Sequence, residues 1–188
     1  MQSIYFVDSN FTYESSKKSI LSIRYATDGF SFCVHDETGK LVVFVHEPYA
    51  ADSREAAVAR LKNYVVNDAI LNLRFKKVYI MPCFKEKLLV PGAFFDKANI
   101  TTLYTVNQEV SPDDHIEGIE AYLVETVISS FHDFVREHFP VFQIVNGAYP
   151  FILGAMGKAL RDTEQIFLDI QDNYFDLLFI RDSGIQLF

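Results

Sequence analysis

The chain has 188 residues, 49% of them hydrophobic and 22% charged, with 8 Gly, 6 Pro and a formal charge of −8. So little Gly and Pro leaves little room for linkers or low-complexity tails, and the negative charge repels phosphate backbones, so nucleic acid is not expected as a partner. The longest apolar runs, such as 41–45 and 177–180, are strand-sized rather than the roughly 20 residues of a membrane helix, and the N-terminus lacks the pattern of a secretory signal, so no membrane insertion and a cytoplasmic location are expected.

The first predicted strand covers 21–25. Thr27, Asp28 and Gly29 turn it into a second at 30–35, where Phe30, Phe32 and Val34 alternate with Ser31, Cys33 and His35. A two-residue turn at Thr38-Gly39 would open a third strand, 40–47. Its register sets Phe32 opposite Val45, Val34 opposite Val43, His35 opposite Val42 and Ser31 opposite His46. Asp52 with Glu55 reads as a capping box ahead of Ala57, Val58, Leu61, Tyr64 and Val65, whose spacing predicts a helix over 53–67. Strands are predicted at 77–81 and 88–90, the second broken by Pro91-Gly92 before a helical turn at 93–96. A strand is expected over 100–106, a polar exposed loop over 108–115 and a strand over 121–128. Ser130 is placed as the cap of a helix carrying Phe131, Phe134, Val135 and His138, ended by Pro140, and a strand at 141–145 follows. Pro150 suits the first turn of a helix whose Phe151, Ile152, Ala155, Met156, Ala159 and Leu160 share a face, with Gly154 and Gly157 permitting close approach of another backbone.

The end of the chain repeats its beginning. ILSIRYATDGFSFCVHDETGKLVVF (20–44) and IFLDIQDNYFDLLFIRDSGIQLF (166–188) each run strand, Asp-centred turn, strand, Gly-bearing turn, strand. A three-stranded meander met twice, with helices and further strands between, predicts two related α/β halves of mixed sheet with flanking helices. They are expected at 1–128 and 129–188, the second truncated inside its third strand. Its open sheet would seek hydrogen-bonding partners, so homo-oligomer formation through that sheet is expected.

Two such halves resemble the ribonuclease-H-like halves of the actin-like ATPase superfamily. The strings LSIRYATDGFSFCVHDE, KLLVPGAFFD and LDIQDNYFDLLFI further resemble an uncharacterised Bacteroidetes family, domain of unknown function 3822, over essentially the whole chain. The resemblance implies an actin-like ATPase fold. It also implies where nucleotide would bind: the superfamily grips phosphates with an Asp-x-Gly-Ser/Thr turn in each half, glycine letting backbone N–H groups approach while the Asp helps hold the metal. In the first copy Arg24 falls where the aspartate would, and Ala26-Thr27-Asp28 replaces the small residues. In the second, Asp169 matches the superfamily aspartate, but Gln171 replaces the glycine and Asp172 adds a negative charge, which costs roughly 1 kcal/mol at about 4 Å from a phosphate charge in water. Eroded phosphate turns beside an intact core pattern point to a non-enzymatic, cofactor-free scaffold for a protein partner. The alternative is ATP binding or hydrolysis through Asp169.

Other constellations are weaker. His132 and His138 lie six positions apart, about 240° around a helix, whereas zinc ligands on one face need a spacing of four. His35 and His46 do not oppose each other in the proposed register, and Asp113-Asp114-His115 lies in the predicted loop without partner ligands. Cys33 and Cys83 form no Cys-x-x-Cys pair and read as reduced core thiols, Ser129-Ser130 is absorbed by helix capping, and Gly154 to Lys158 lacks the strand and the Ser/Thr of a phosphate loop.

Overall fold

A computed structural model of the chain describes residues 2–96, 109–110, 114–116, 120–171 and 174–188. By contacts it divides into two units: Met1–Phe84 with Ile128–Val145, and Lys85–Val127 with Asn146–Phe188. Each unit is built from two separated stretches of the chain. Strand pairing and core packing join segments that the sequence separates.

The first unit is a six-stranded mixed sheet. β1 (Ile4–Val7), β4 (Leu41–Pro48), β3 (Gly29–His35) and β2 (Ile20–Ala26) lie side by side and antiparallel, and β5 (Lys77–Pro82) and β10 (Phe142–Ile144) extend the sheet in parallel beyond β2. Parallel pairing requires crossovers, and α2 (Arg54–Asn67) and α3 (Ser129–His138) supply them. Val45, Phe32, Ile23, Ile80 and Ile144 face one another across five strands and are all buried. Both helices cover this face: Tyr64 of α2 packs on Phe30 with ring centroids 4.3 Å apart, Phe131 of α3 on Tyr25 at 4.8 Å, and Lys62 donates to the Ser130 carbonyl at 2.7 Å. Each large apolar side chain buried here contributes roughly 1.5–3 kcal/mol. The opposite face, with Phe44, Cys33, Ser22 and Tyr79 in one row, stays half-buried.

The predicted register holds at Phe32 with Val45, Val34 with Val43 and Ser31 with His46, but His35 meets Leu41 rather than Val42. The loop is longer than a two-residue turn. The Asp36 carboxylate accepts from the Thr38 and Lys40 amides and the Thr38 hydroxyl, and Gly39 takes φ +83°. The ladder therefore shifts between Val34 and His35. Ser53, not Asp52, caps α2, its hydroxyl accepting from the Ala56 amide at 3.1 Å. Ser130 lies within α3, whose N-cap is Ile128 and carries no side-chain cap. Two elements of this unit went unpredicted: edge strand β1, and the single turn α1 (Tyr13–Ser16), closed by a reciprocal Thr12–Ser15 capping box.

In the second unit, β6 (Lys87–Pro91) pairs antiparallel with β9 (Ala121–Val127), which also takes the short strands β7 (Glu109–Val110) and β8 (Asp114–Ile116). These short strands lie in what polar composition predicted as loop. The expected strand at 100–106 lies outside the described residues. A 3-10 turn, Gly92–Phe94, stands where a helical turn was expected. Helix α4 (Tyr149–Met156) is shorter than predicted and ends at Gly157. A Cβ at Gly154 would meet nothing within 4 Å and one at Gly157 only carbonyls of its own helix, so neither glycine serves close approach to another element.

The closing meander forms its own antiparallel sheet, β11 (Glu164–Ile170), β12 (Phe175–Arg181) and β13 (Gly184–Leu187). Asp182 and Ser183, with φ of 52° and 64°, make the tight left-handed turn into β13. In both meanders the second strand shifts register near the turn to the third, at Val34/His35 and at Phe179/Ile180. Leu178 and Ile180 of β12 join Leu123 of β9 and Ile152 and Ala155 of α4 in one buried cluster.

Candidate functional site

The two meander hairpins occupy the chain positions at which the resemblance would put phosphate. In the first, between β2 and β3, the Arg24 guanidinium lies 3.7 Å from Asp28 Oδ1, and both side chains are largely buried. The hairpin is bound to the chain following β4: the Tyr49 amide donates to the Asp28 carbonyl at 3.1 Å and the Ala51 amide to that of Thr27 at 2.8 Å. Gly29 adopts φ +152°, and a Cβ there would stand 2.7 Å from the Glu47 carbonyl oxygen, so only glycine allows this approach. Asp28 Oδ1 and the Tyr49 hydroxyl are both buried without a hydrogen-bond partner among the described residues. Burial pushes the Tyr49 phenol up to about 12. The Arg60 guanidinium sits over the same ring, 5.2 Å from its centroid.

The second hairpin, between β11 and β12, gathers acid. Asp169 and Asp176 stand directly opposite each other on adjacent strands, on the same face as buried Leu178 and Ile180. Like charges in that position destabilise a strand pair unless something neutralises them. Here Lys87 does so: its side chain is 5% exposed, its ammonium forms an ion pair with the carboxylate of Asp176, a side chain 12% exposed, and lies 5.3 Å from the centre of the Tyr174 ring. The Asp169 carboxylate accepts from the Gln171 side-chain amide at 2.9 Å. The residue that replaces glycine thus occupies the aspartate expected to serve a metal. Asp172 lies outside the described residues.

Sequence reasoning singled out Asp169 but missed Lys87. Nothing local marks that lysine, because its partner arrives from a distant strand. The other candidates are not brought together. His132 contacts Arg136 at 3.0 Å and the edge of Phe142, whereas His138 stacks on Phe134 and touches Phe139, burial pulling its imidazole below the ordinary value. Cys33 lies 3.9 Å from His35, yet burial pushes its thiol up, which opposes nucleophilic use. Cys83 lies 3.7 Å from the Met81 carbonyl. Ala155, within the Gly154 to Lys158 stretch, belongs to the core. Asp113 lies outside the described residues, and Asp114 and His115 belong to β8. No group of three His, Cys, Asp or Glu side chains able to hold a metal occurs among the described residues, and no helix among them is long and apolar enough to cross a membrane.

One family, described as "Protein of unknown function (DUF3822)", matches residues 8–188. No curated protein matches the chain. Among solved structures, a Bacteroides thetaiotaomicron protein with actin-like ATPase fold and unknown function superposes with a TM-score of 0.82 at 22% identity, over 94% of this chain and 71% of that one. That likeness shows the fold. A Ppx/GppA family member and a PPX-GPPA enzyme, both from Aquifex aeolicus, match with TM-scores of 0.35 and 0.33 at 10% and 11% identity, over 90% of this chain and 49% and 50% of theirs, and contribute nothing further to the assignment.

Proposed function

The chain belongs to the DUF3822 family and has the actin-like ATPase fold, and from that premise we propose that it is a non-catalytic member, working in the cytoplasm as a scaffold for protein interaction or assembly. The observation that carries this reading is the Lys87–Asp176 ion pair at the second hairpin. A metal-nucleotide site needs carboxylates open to a cation and donors open to phosphate. At this hairpin one carboxylate is already neutralised by a buried ammonium and the other is held by Gln171. At the first hairpin, Asp28 is tied to Arg24. Both turns thus use their charges internally, and fold alone does not confer activity.

A second reading, binding or hydrolysis of ATP, is favoured by one observation: Asp169 sits at the end of β11, next to the turn, where the resemblance places the superfamily aspartate. Calorimetric titration of the chain with Mg-ATP separates the two. The scaffold reading expects no saturable heat up to millimolar nucleotide and no difference between the native protein and Asp169→Ala. Micromolar affinity abolished by Asp169→Ala would establish the second reading in its place.

A further inference from the structure

The β11-β12-β13 sheet has two unlike faces. One carries Phe167, Leu178, Ile180 and Ile185 and packs against α4 within the second unit. The other carries three cross-strand pairs, Ile166 with Phe179, Leu168 with Leu177 and Ile170 with Phe175. Ile166 is 64% exposed, Leu168 52%, Ile170 75% and Phe175 60%. Among the paired positions on this face the charges are Glu164 and Arg181, ion-paired at 2.8 Å at one end, with the Arg181 guanidinium 5.5 Å from the centre of the Phe179 ring. A sheet buries both faces or wets one with polar residues, and this strand pattern does neither.

We infer that this apolar face is a self-association surface that takes the same face of a second copy of the chain, the two sheets packing as the layers of a sandwich. Area is the first argument. Taking roughly 200 Å² for a fully exposed large apolar residue, the four most open side chains alone offer roughly 500 Å², well over half of the ~800 Å² per partner in a standard interface. A patch of this size stands toward the upper end of what a monomer leaves in water, and such patches are often functional. Shape is the second, because three strands facing three identical strands match in width and length, and aligned sheets interdigitate such faces about 10 Å apart. A two-fold arrangement also closes the assembly, since the same patch is used on both sides. The charge of −8 on each copy opposes approach but is screened beyond roughly 10 Å at ordinary salt, and Glu164 and Arg181 at the end of the face neutralise each other.

The inference rests on the scaffold reading in naming a partner for it, but the test reads mass rather than nucleotide, so either can fail alone. Sedimentation equilibrium of the native chain from 1 to 100 µM is expected to give about twice the 21.6 kDa of one chain. Leu168→Asp, at the centre of the face, is expected to be monomeric with an unchanged circular dichroism spectrum. Leu168→Ser, which removes apolar area without adding charge and guards against failure of the aspartate variant to fold, should weaken the dimer at least tenfold. Val66→Asp, at an exposed apolar residue of α2, should leave it intact. A native chain that is monomeric at 100 µM overturns the proposal and leaves a foreign partner for this face. A dimer that survives Leu168→Asp and Leu168→Ser overturns it too, and points to pairing through the strand edges.

Discussion

Lys87 and Asp176 form an ion pair almost out of reach of water, and such pairs are held together at high cost. Lys87→Met removes the cation and leaves Asp176 buried opposite Asp169, so we expect a loss of about 3–5 kcal/mol in urea denaturation. Lys87→Met combined with Asp176→Leu, which removes both charges, should recover most of it; failure to recover would mean that Lys87 matters through its packing on Tyr174. Tyr49 gives a second test. Its phenol is raised from an ordinary value near 10 to about 12 by burial, so the folded state holds its proton while the unfolded chain releases it. That contribution is fully present below pH 10 and is lost as pH climbs from 10 towards 12. Tyr64, also pushed up to about 12 by burial and then by Asp68, acts in the same direction. Denaturation at pH 8, 10 and 11.5 should show stability falling over the last two, with a shallower fall in Tyr49→Phe. Because the Tyr49 hydroxyl is buried without a partner, that variant should lose nothing at pH 8.

Secondary structure was readable wherever neighbours in the chain do the work. Alternation along β3 and β4 placed Phe32 against Val45, and the apolar spacing along α2 placed Ala57, Leu61 and Val65 in the core. Ends were harder to read, because one-residue shifts are decided by which side chain reaches which amide. Asp52 and Ser53 both suit a cap, and the backbone at Ser53, extended with its hydroxyl on the Ala56 amide, decides between them. Ser53→Ala should therefore cost about 1 kcal/mol in thermal or urea unfolding while Asp52→Ala changes little; equal effects would restore the Asp52 cap. The Asp36 carboxylate likewise lengthened a turn that composition alone made two residues long, and His35 moved with it. Edge strand β1 escaped notice because Ile4, Tyr5 and Phe6 are apolar in succession and all exposed, which erases the period of two.

Across the whole chain, each unit draws on two separated stretches. The doubled meander holds, with a register shift near the end of the second strand in each copy. The nucleotide titration and the sedimentation measurement both act at this level, because one asks whether the hairpins still accept phosphate and the other whether the bare sheet face meets its like. Periodicity and turn chemistry were enough for most strands, most helices and the repeat, since burial every second or fourth residue is written into consecutive positions. The partner that neutralises Asp176, the grouping of β6 and β9 with the closing sheet, the placement of both α2 and α3 on one face, and the face of β11-β12-β13 left open had to await the folded chain. Each depends on groups far apart in sequence meeting in space, where burial and charge balance are properties of the neighbourhood and not of the residue.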